Sequence, residues 1–160
     1  IDKTFRNNLS IYYDEYYNDM SILAGRYMDV KNPHVVGLYG GGLPVAVHLS
    51  NALGCPMSII RVVNNTAVWL LNLTEDKDIR PHDAPLFPRL IVANTVYDSG
   101  EKFDAAKQLP EFINNPDYTF FAFFGCKNDN NVFYKYEQVY RNILFPWHGT
   151  SRDSKQKIDV

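Results

Sequence analysis

The chain has 160 residues, of which 46% are hydrophobic and 21% are charged, and its formal net charge is -2. This length and composition predict one folded domain with a proper core and exclude a largely disordered protein. The near balance of 16 basic and 18 acidic residues gives no electrostatic reason to expect nucleic acid or an anionic membrane as a partner.

Short apolar strands alternate with helical segments along the chain. Met20, Leu23 and Tyr27 fall at helical spacing, and Pro44 stands in the first turn of a second helix. In chain order, the predicted elements are a helix over residues 12–27, a strand over 35–39, a helix over 43–53, strands over 57–63, 67–71 and 89–93, a helix over 101–114 that is interrupted near Pro110, and strands over 119–124 and 143–145.

This alternation predicts an α/β fold, an open parallel sheet of about five strands with helices on both faces. The last strand and Trp147 are expected to form a small C-terminal hood beside the strand ends. One domain is expected over residues 1–148, followed by a polar tail over 149–160 that is expected to fray. No apolar run is long enough to cross a bilayer, and the isolated thiols Cys55 and Cys126 favour a reduced, cytoplasmic protein.

Two glycine-containing loops, Gly40–Gly42 and Asp98–Gly100, each follow a predicted strand and precede a predicted helix. Free backbone N–H groups at a helix N-terminus favour an anion, and ligands of open parallel sheets bind at the carboxyl ends of the strands. Either loop alone is equally well explained as a tight turn, and Asp98 with Glu101 also fits a helix-capping box. The two loops together indicate a phosphate site. A Walker loop is excluded because Leu43 and Pro44 follow the last glycine.

Three segments carry a resemblance to one known family. Residues 36–46 are similar to the pyrophosphate loop of the type I phosphoribosyltransferases and the helix that follows it. Residues 96–101 resemble the second half of that family's diphosphoribose-binding signature, and residues 143–147 resemble the close of its bacterial and archaeal purine members. The resemblance covers nearly the whole chain, from about Tyr13 to His148.

The resemblance implies a role for each matched residue. Asp98 corresponds to the family's catalytic aspartate, which contacts the base side of the reaction or stabilises charge that develops on the ribose. The implied ligand-binding residues are Ser99, Gly100, Glu101 and Lys102 for the 5′-phosphate, Gly40, Gly41 and Gly42 for the pyrophosphate, Asn94 and Thr95 for the ribose, and Lys127 and Ile143 for the base. No residue is assigned as a direct metal ligand.

Several matched positions depart from the family pattern. Asn94 and Thr95 replace two adjacent acidic residues that hold the ribose hydroxyl groups, and Lys102 replaces a small hydroxyl residue. Ile143 lies where the purine members place an aromatic residue that stacks on the base, and His148 replaces an acidic residue. Hydrogen bonds to charged groups contribute roughly 1.5–3 kcal/mol each, so the loss of two is expected to weaken donor binding by orders of magnitude.

Three hypotheses follow from these residues. The first is an enzyme that transfers a phosphoribosyl group from its diphosphate donor to a purine-like base, with Mg²⁺ neutralising the leaving pyrophosphate. The second is a catalytically impaired module that binds a nucleoside monophosphate or a sugar phosphate on the same fold. The third is a scaffold without a ligand. The residues Asp98–Gly100 argue against it, because a decayed site need not keep a phosphate turn. A tyrosine cluster, Tyr12, Tyr13, Tyr16 and Tyr17, is predicted to be half core and half surface and is a candidate homodimer contact.

Overall fold

The computed structural model describes residues 8–74, 88–97, 100–115, 117–125, 132–137 and 143–148. The elements are β1 Leu9–Ser10, α1 Tyr13–Gly25, β2 Pro33–Leu38, α2 Gly42–Leu53, β3 Met57–Val63, β4 Thr66–Leu71, β5 Arg89–Ala93, β6 Val96–Tyr97, α3 Glu101–Ala106, α4 Pro110–Ile113, β7 Tyr118–Gly125, β8 Val132–Glu137, β9 Ile143–Leu144 and a 3₁₀ turn at Pro146–His148. Asp98, Ser99, Lys127 and the tail 149–160 lie outside the described residues.

The predicted parallel sheet is confirmed. In the described part of the chain its strands follow the order β4-β3-β2-β5-β7, and both β6 and β8 also pair with β7. Every pairing is parallel except β3 with β4. The antiparallel hairpin turns at Asn64 and Asn65, whose φ angles of 51° and 60° are those of a tight two-residue turn. This hairpin and strand β8 were not predicted from the sequence.

Two apolar cores cover the two faces of the sheet. One core lies under α1 and α2 and includes Phe121 and Phe123, and the other lies under α3 and α4 and includes Phe120 and Ala122. Successive side chains of a strand point to opposite faces, so the unbroken apolar run of β7 supplies both cores. The predicted interruption of the third helix is also confirmed, since α3 ends at Ala106 and Pro110 opens α4.

The C-terminal hood is built from both ends of the described chain. Strands β1 and β9 form a separate parallel pair. One further backbone hydrogen bond extends the pair, from the Ile11 N–H to the Leu144 carbonyl at 2.8 Å. Phe145 packs on Phe123 and Phe124 near the carboxyl end of β7, and the Trp147 ring stacks on Phe145 at a centroid distance of 4.9 Å. No helix in the described ranges is both long enough and apolar enough to cross a membrane.

Candidate functional site

The loop between β2 and α2 lies against the end of β5. Gly40 has a φ of +103°, a conformation that residues with a side chain rarely adopt. A Cβ atom at Gly41 would lie 2.7 Å from the Thr95 hydroxyl oxygen, and one at Gly42 would lie 2.5 Å from the Ala93 carbonyl oxygen. The glycines therefore permit a close backbone approach, and they bring the predicted pyrophosphate loop against the predicted ribose residues.

Asn94 and Thr95 interrupt a strand that otherwise continues from β5 into β6. Ala93 pairs with Phe121 and Val96 pairs with Phe124, so the register along β7 is the same before and after the interruption. The Thr95 carbonyl accepts hydrogen bonds from the backbone N–H groups of Phe123 and Phe124, at 3.0 and 3.1 Å. Strand β7 therefore fixes this break in the strand at the carboxyl edge of the sheet.

The Asn94 side chain is hydrogen-bonded within its own loop. It is 4% exposed. Its Oδ1 atom accepts a hydrogen bond from the Thr95 N–H at 2.9 Å, and its Nδ2 atom donates to the Val96 carbonyl at 3.3 Å. The amide group thus maintains the break in the strand, and its role toward a ribose stays a prediction.

The Thr95 side chain is fully buried, and its hydroxyl group has no hydrogen-bond partner among the described residues. Burying a hydroxyl group without a partner costs free energy, so such groups are rare in folded proteins. Because the hydroxyl oxygen lies beside the backbone of Gly41, the polar group is at the inner side of the glycine loop.

The second predicted phosphate turn is described only from Gly100 onward. Gly100 is buried, has a φ of 80° and precedes α3, as the sequence predicted. Its carbonyl accepts a hydrogen bond from the Asp104 N–H at 2.8 Å. Glu101 is exposed and Lys102 is half-buried in the first turn of α3. Their contacts with a phosphate, like those of Ser99, stay predictions.

Ile143, the predicted base contact, lies in the core. Its side chain is 2% exposed and packs in the cluster under α1 and α2, while its backbone pairs with Leu9. The side chain is therefore a packing group of the hood in this structure. Its predicted contact with a base stays a prediction.

Sequence patterns did not indicate Tyr39 and Arg61 as site residues. Tyr39 immediately precedes the glycine loop, is 53% exposed and donates its N–H to the Ile60 carbonyl at 2.7 Å. The guanidinium carbon of Arg61 lies over the Tyr39 ring, 5.6 Å from its centroid. Tyr39 directly precedes Gly40 in the sequence, so its position beside the loop could be predicted. The position of Arg61 could not, because it depends on the register between β2 and β3.

An aromatic groove lies between α1, α2 and the hood. It has a volume of about 590 Å³ and is lined by Tyr13, Tyr16, Tyr17, Leu43, Pro44, Val47, His48, Asn51 and Trp147. Tyr16 is buried and Tyr12, Tyr13 and Tyr17 are exposed, so the cluster has one core residue and three surface residues where an equal division was predicted. Burial raises the pKa of Tyr16 and lowers that of His48, whose rings lie 5.6 Å apart.

The described residues contain no group of three or more His, Cys, Asp or Glu side chains that could hold a metal ion. The polar groups near the glycine loop instead include the buried Thr95 hydroxyl, which lies beside Gly41, and the Arg61 guanidinium, which lies over the ring of Tyr39, the residue before Gly40. These groups suit an anion such as a phosphate better than a bare metal ion.

Comparison with known proteins identifies the fold. No family model and no curated protein sequence matches the chain. A purine phosphoribosyltransferase from Pyrococcus horikoshii Ot3 superposes with a TM-score of 0.66 at 17% identity, over 92% of this chain and 99% of that chain. A xanthine-guanine-hypoxanthine phosphoribosyltransferase from Helicobacter pylori gives a TM-score of 0.62 at 17% identity, over 88% of this chain and 92% of that chain.

A third similar structure is a hypothetical protein from Neisseria gonorrhoeae with bound ppGpp. It gives a TM-score of 0.62 at 18% identity, over 93% of this chain and 93% of that chain. The chain therefore has the type I phosphoribosyltransferase fold, as the sequence resemblance implied. At these identities the likeness shows the fold and leaves the chemistry to the residues of the site.

Proposed function

We propose that this chain is a phosphoribosyltransferase-like protein that transfers a phosphoribosyl group from its diphosphate donor to a purine-like base. The observation that carries the proposal is the contact between the Gly40–Gly42 loop and the Asn94–Thr95 segment. The two segments follow adjacent parallel strands, β2 and β5, at the edge where ligands of this kind of sheet bind. Similar solved structures include two purine phosphoribosyltransferases.

Each loop is assigned one part of the donor. The backbone N–H groups of Gly40–Gly42 and the N-terminus of the twelve-residue helix α2 would hold the pyrophosphate. Residues 99–102 would hold the 5′-phosphate, and Asn94 with Thr95 would lie under the ribose. Asp98 would stabilise charge developing on the ribose, and Lys127 would contact the base.

Mg²⁺ would arrive with the diphosphate and be held mainly by its oxygen atoms. Neither Asn94 nor Thr95 offers a carboxylate, and Mg²⁺ commonly binds proteins through substrate phosphates. When bound, the ion would neutralise negative charge on the leaving pyrophosphate. The residues of this chain would position the diphosphate and exclude water around it. We further propose a cytoplasmic location and a homodimer contact through the exposed tyrosines of α1.

A second candidate function is binding of a nucleotide without turnover. Two neutral, buried residues stand where the family has a pair of carboxylates, so the site lacks the charged acceptors for ribose hydroxyl groups. The similar protein from Neisseria gonorrhoeae contains ppGpp, a nucleotide with a second phosphorylated position on its ribose. Neutral residues would repel such a ligand less than carboxylates would.

Calorimetry separates the two functions. The wild-type chain is titrated with phosphoribosyl diphosphate, with and without Mg²⁺, and then with GMP and ppGpp. Release of pyrophosphate is measured with guanine, hypoxanthine, xanthine and adenine as acceptors. Donor binding together with pyrophosphate release supports the enzyme, whereas nucleotide binding without release supports the binding module. Absence of binding to every phosphorylated ligand would contradict both.

A further inference from the structure

A cation stands beside the glycine loop on the side of β3. Leu38 pairs with Ile60, and the next residue of each strand, Tyr39 and Arg61, extends toward the carboxyl edge of the sheet. The Arg61 guanidinium lies over the half-exposed Tyr39 ring, at 5.6 Å from the centroid. This cation–π contact holds the positive charge next to the residue that leads into Gly40.

The loop itself provides no full positive charge. Helix α2 and the three glycines contain no charged side chain, so their attraction for an anion comes from backbone amides and the helix dipole alone. Within the described ranges, Arg61 forms no salt bridge with a carboxylate. Its charge is therefore not neutralised by an acidic partner in that part of the chain.

A buried polar group lies at the other side of the same loop. The Thr95 hydroxyl is fully buried, has no partner among the described residues and lies beside Gly41. Strand β2 lies between β3 and β5, so the loop that follows β2 is flanked by Arg61 on one side and Thr95 on the other. The cation and the unpartnered hydroxyl thus stand on opposite sides of one set of backbone amides.

We propose that Arg61 is a further binding residue, whose guanidinium binds the diphosphate group of the ligand at the Gly40–Gly42 loop. A guanidinium group can donate two parallel hydrogen bonds to phosphate oxygens, which suits a diphosphate. Tyr39 is a positioning residue, because its ring keeps the guanidinium beside the loop. The inference rests on the proposed function, since it adds a charged residue to the diphosphate subsite proposed there.

The test compares two ligands that occupy different subsites. Inorganic pyrophosphate probes the glycine loop, and GMP probes the 5′-phosphate turn near Gly100. Isothermal titration measures both affinities for the wild type and for Arg61→Gln, Arg61→Lys and Arg89→Gln. Arg89→Gln is the matched control, since it removes the same charge at the opposite end of the sheet, where Arg89 pairs with Asp117.

Arg61→Gln should weaken pyrophosphate binding about 10- to 100-fold and change GMP binding by less than about 2-fold. Arg61→Lys should retain part of the pyrophosphate affinity, because it keeps the charge but loses the paired donors. The salt dependence of pyrophosphate binding should be shallower in Arg61→Gln, a change that a purely structural role would not produce. Arg89→Gln should bind both ligands as the wild type does.

The role of Tyr39 is tested by two substitutions. Tyr39→Phe keeps the ring and should bind pyrophosphate as the wild type does, whereas Tyr39→Leu should bind it several-fold more weakly. Both variants should unfold within a few degrees of the wild type, because the side chain is half-exposed.

The outcomes distinguish this inference from the proposed function. Equal pyrophosphate affinities in Arg61→Gln and Arg89→Gln, with the wild type binding both ligands, would overturn the role of Arg61 and leave the proposed function standing. Equal loss of pyrophosphate and GMP binding in Arg61→Gln would also overturn the subsite assignment. If the wild type binds neither ligand, the proposed function fails and this inference fails with it.

Discussion

The hydroxyl group of Thr95 lies so close to the backbone of Gly41 that a methyl group added at Gly41 would come within 2.7 Å of its oxygen. This contact joins the glycine loop to the break in the strand between β5 and β6. The two segments are far apart in sequence but form one unit at the carboxyl edge of the sheet.

Gly41→Ala should lower the free energy of unfolding by about 1–3 kcal/mol, because the new methyl group collides with the Thr95 hydroxyl. Thr95→Ala should remove the collision, so the double variant should be more stable than the sum of the two single changes predicts. Urea unfolding of the four proteins measures this coupling. Gly25→Ala is the control, since open space surrounds that glycine. Additive effects of the two substitutions would contradict the contact.

Asn94→Asp combined with Thr95→Asp should destabilise the free protein by about 3 kcal/mol or more, because two adjacent negative charges would be buried. Phosphoribosyl diphosphate with Mg²⁺ should raise the melting temperature of this variant more than that of the wild type, because the cation offsets the buried negative charges. Thermal unfolding with and without ligand makes the measurement. The same substitutions at the exposed residues Asn51 and Thr66 serve as the control. A free variant as stable as the wild type would show that the pair is open to solvent.

A buried histidine should make stability depend on pH. His34 Nε2 lies 2.7 Å from the Ser58 hydroxyl oxygen, and burial lowers the pKa of His34 from 6.5 to about 4. The His34 imidazole is protonated near pH 6.5 in the unfolded chain, but only near pH 4 in the folded protein. The stability contribution is therefore complete above pH 6.5 and is lost as the pH falls toward 4, by an amount on the order of 3 kcal/mol.

His34→Gln should remove most of that dependence, and the slopes of stability against pH in the two proteins should differ most between pH 4 and 6.5. The measurement is urea unfolding of both proteins at about pH 7, 5.5 and 4.5, which span the range between the two pKa values. The comparison isolates the contribution of His34, because the other titrating groups are the same in both proteins. His48→Gln is the comparison. Its ring is less buried, so a smaller change is expected. A wild type and a His34→Gln variant with parallel pH profiles would disprove the assignment.

Tyr16→Phe should leave stability unchanged or raise it by about 1 kcal/mol. The Tyr16 hydroxyl is buried and has no hydrogen-bond partner in the described ranges, so its removal ends an uncompensated desolvation cost. Tyr17→Phe, at an exposed neighbour on the same helix, should change nothing measurable. Urea midpoints compare the three proteins. A loss of more than about 1 kcal/mol in Tyr16→Phe would mean that its hydroxyl group has a partner.

Much of the fold was predictable because its signals are local. The apolar run of β7 and the proline that opens α4 identify their own elements, and the glycine at residue 54 ends α2 in a left-handed conformation. Strand β8 gave no comparable signal, since Val132–Glu137 mixes polar and apolar residues and gains its identity only by pairing with β7.

The site was predictable only in part. The sequence predicts that Gly40–Gly42 and Asn94–Thr95 each follow a strand, and the structure shows that these strands, β2 and β5, are neighbours. The sequence does not show that the Asn94 amide bonds to its own loop, because that depends on how β7 supports the break in the strand. The pairing of Arg61 with Tyr39 likewise follows from the register of β2 on β3, a long-range property that no local pattern contains.

The hood also has a consequence for the order in which the protein folds. Among the described residues, Leu9 and Ser10 pair as a strand with Ile143 and Leu144, which lie near the other end of the described chain. During synthesis, strand β1 therefore cannot pair with β9 until almost all other elements have left the ribosome. The sheet and its glycine loop can form earlier from contacts that are closer in sequence. We expect the hood to close last, over a ligand edge that is already assembled.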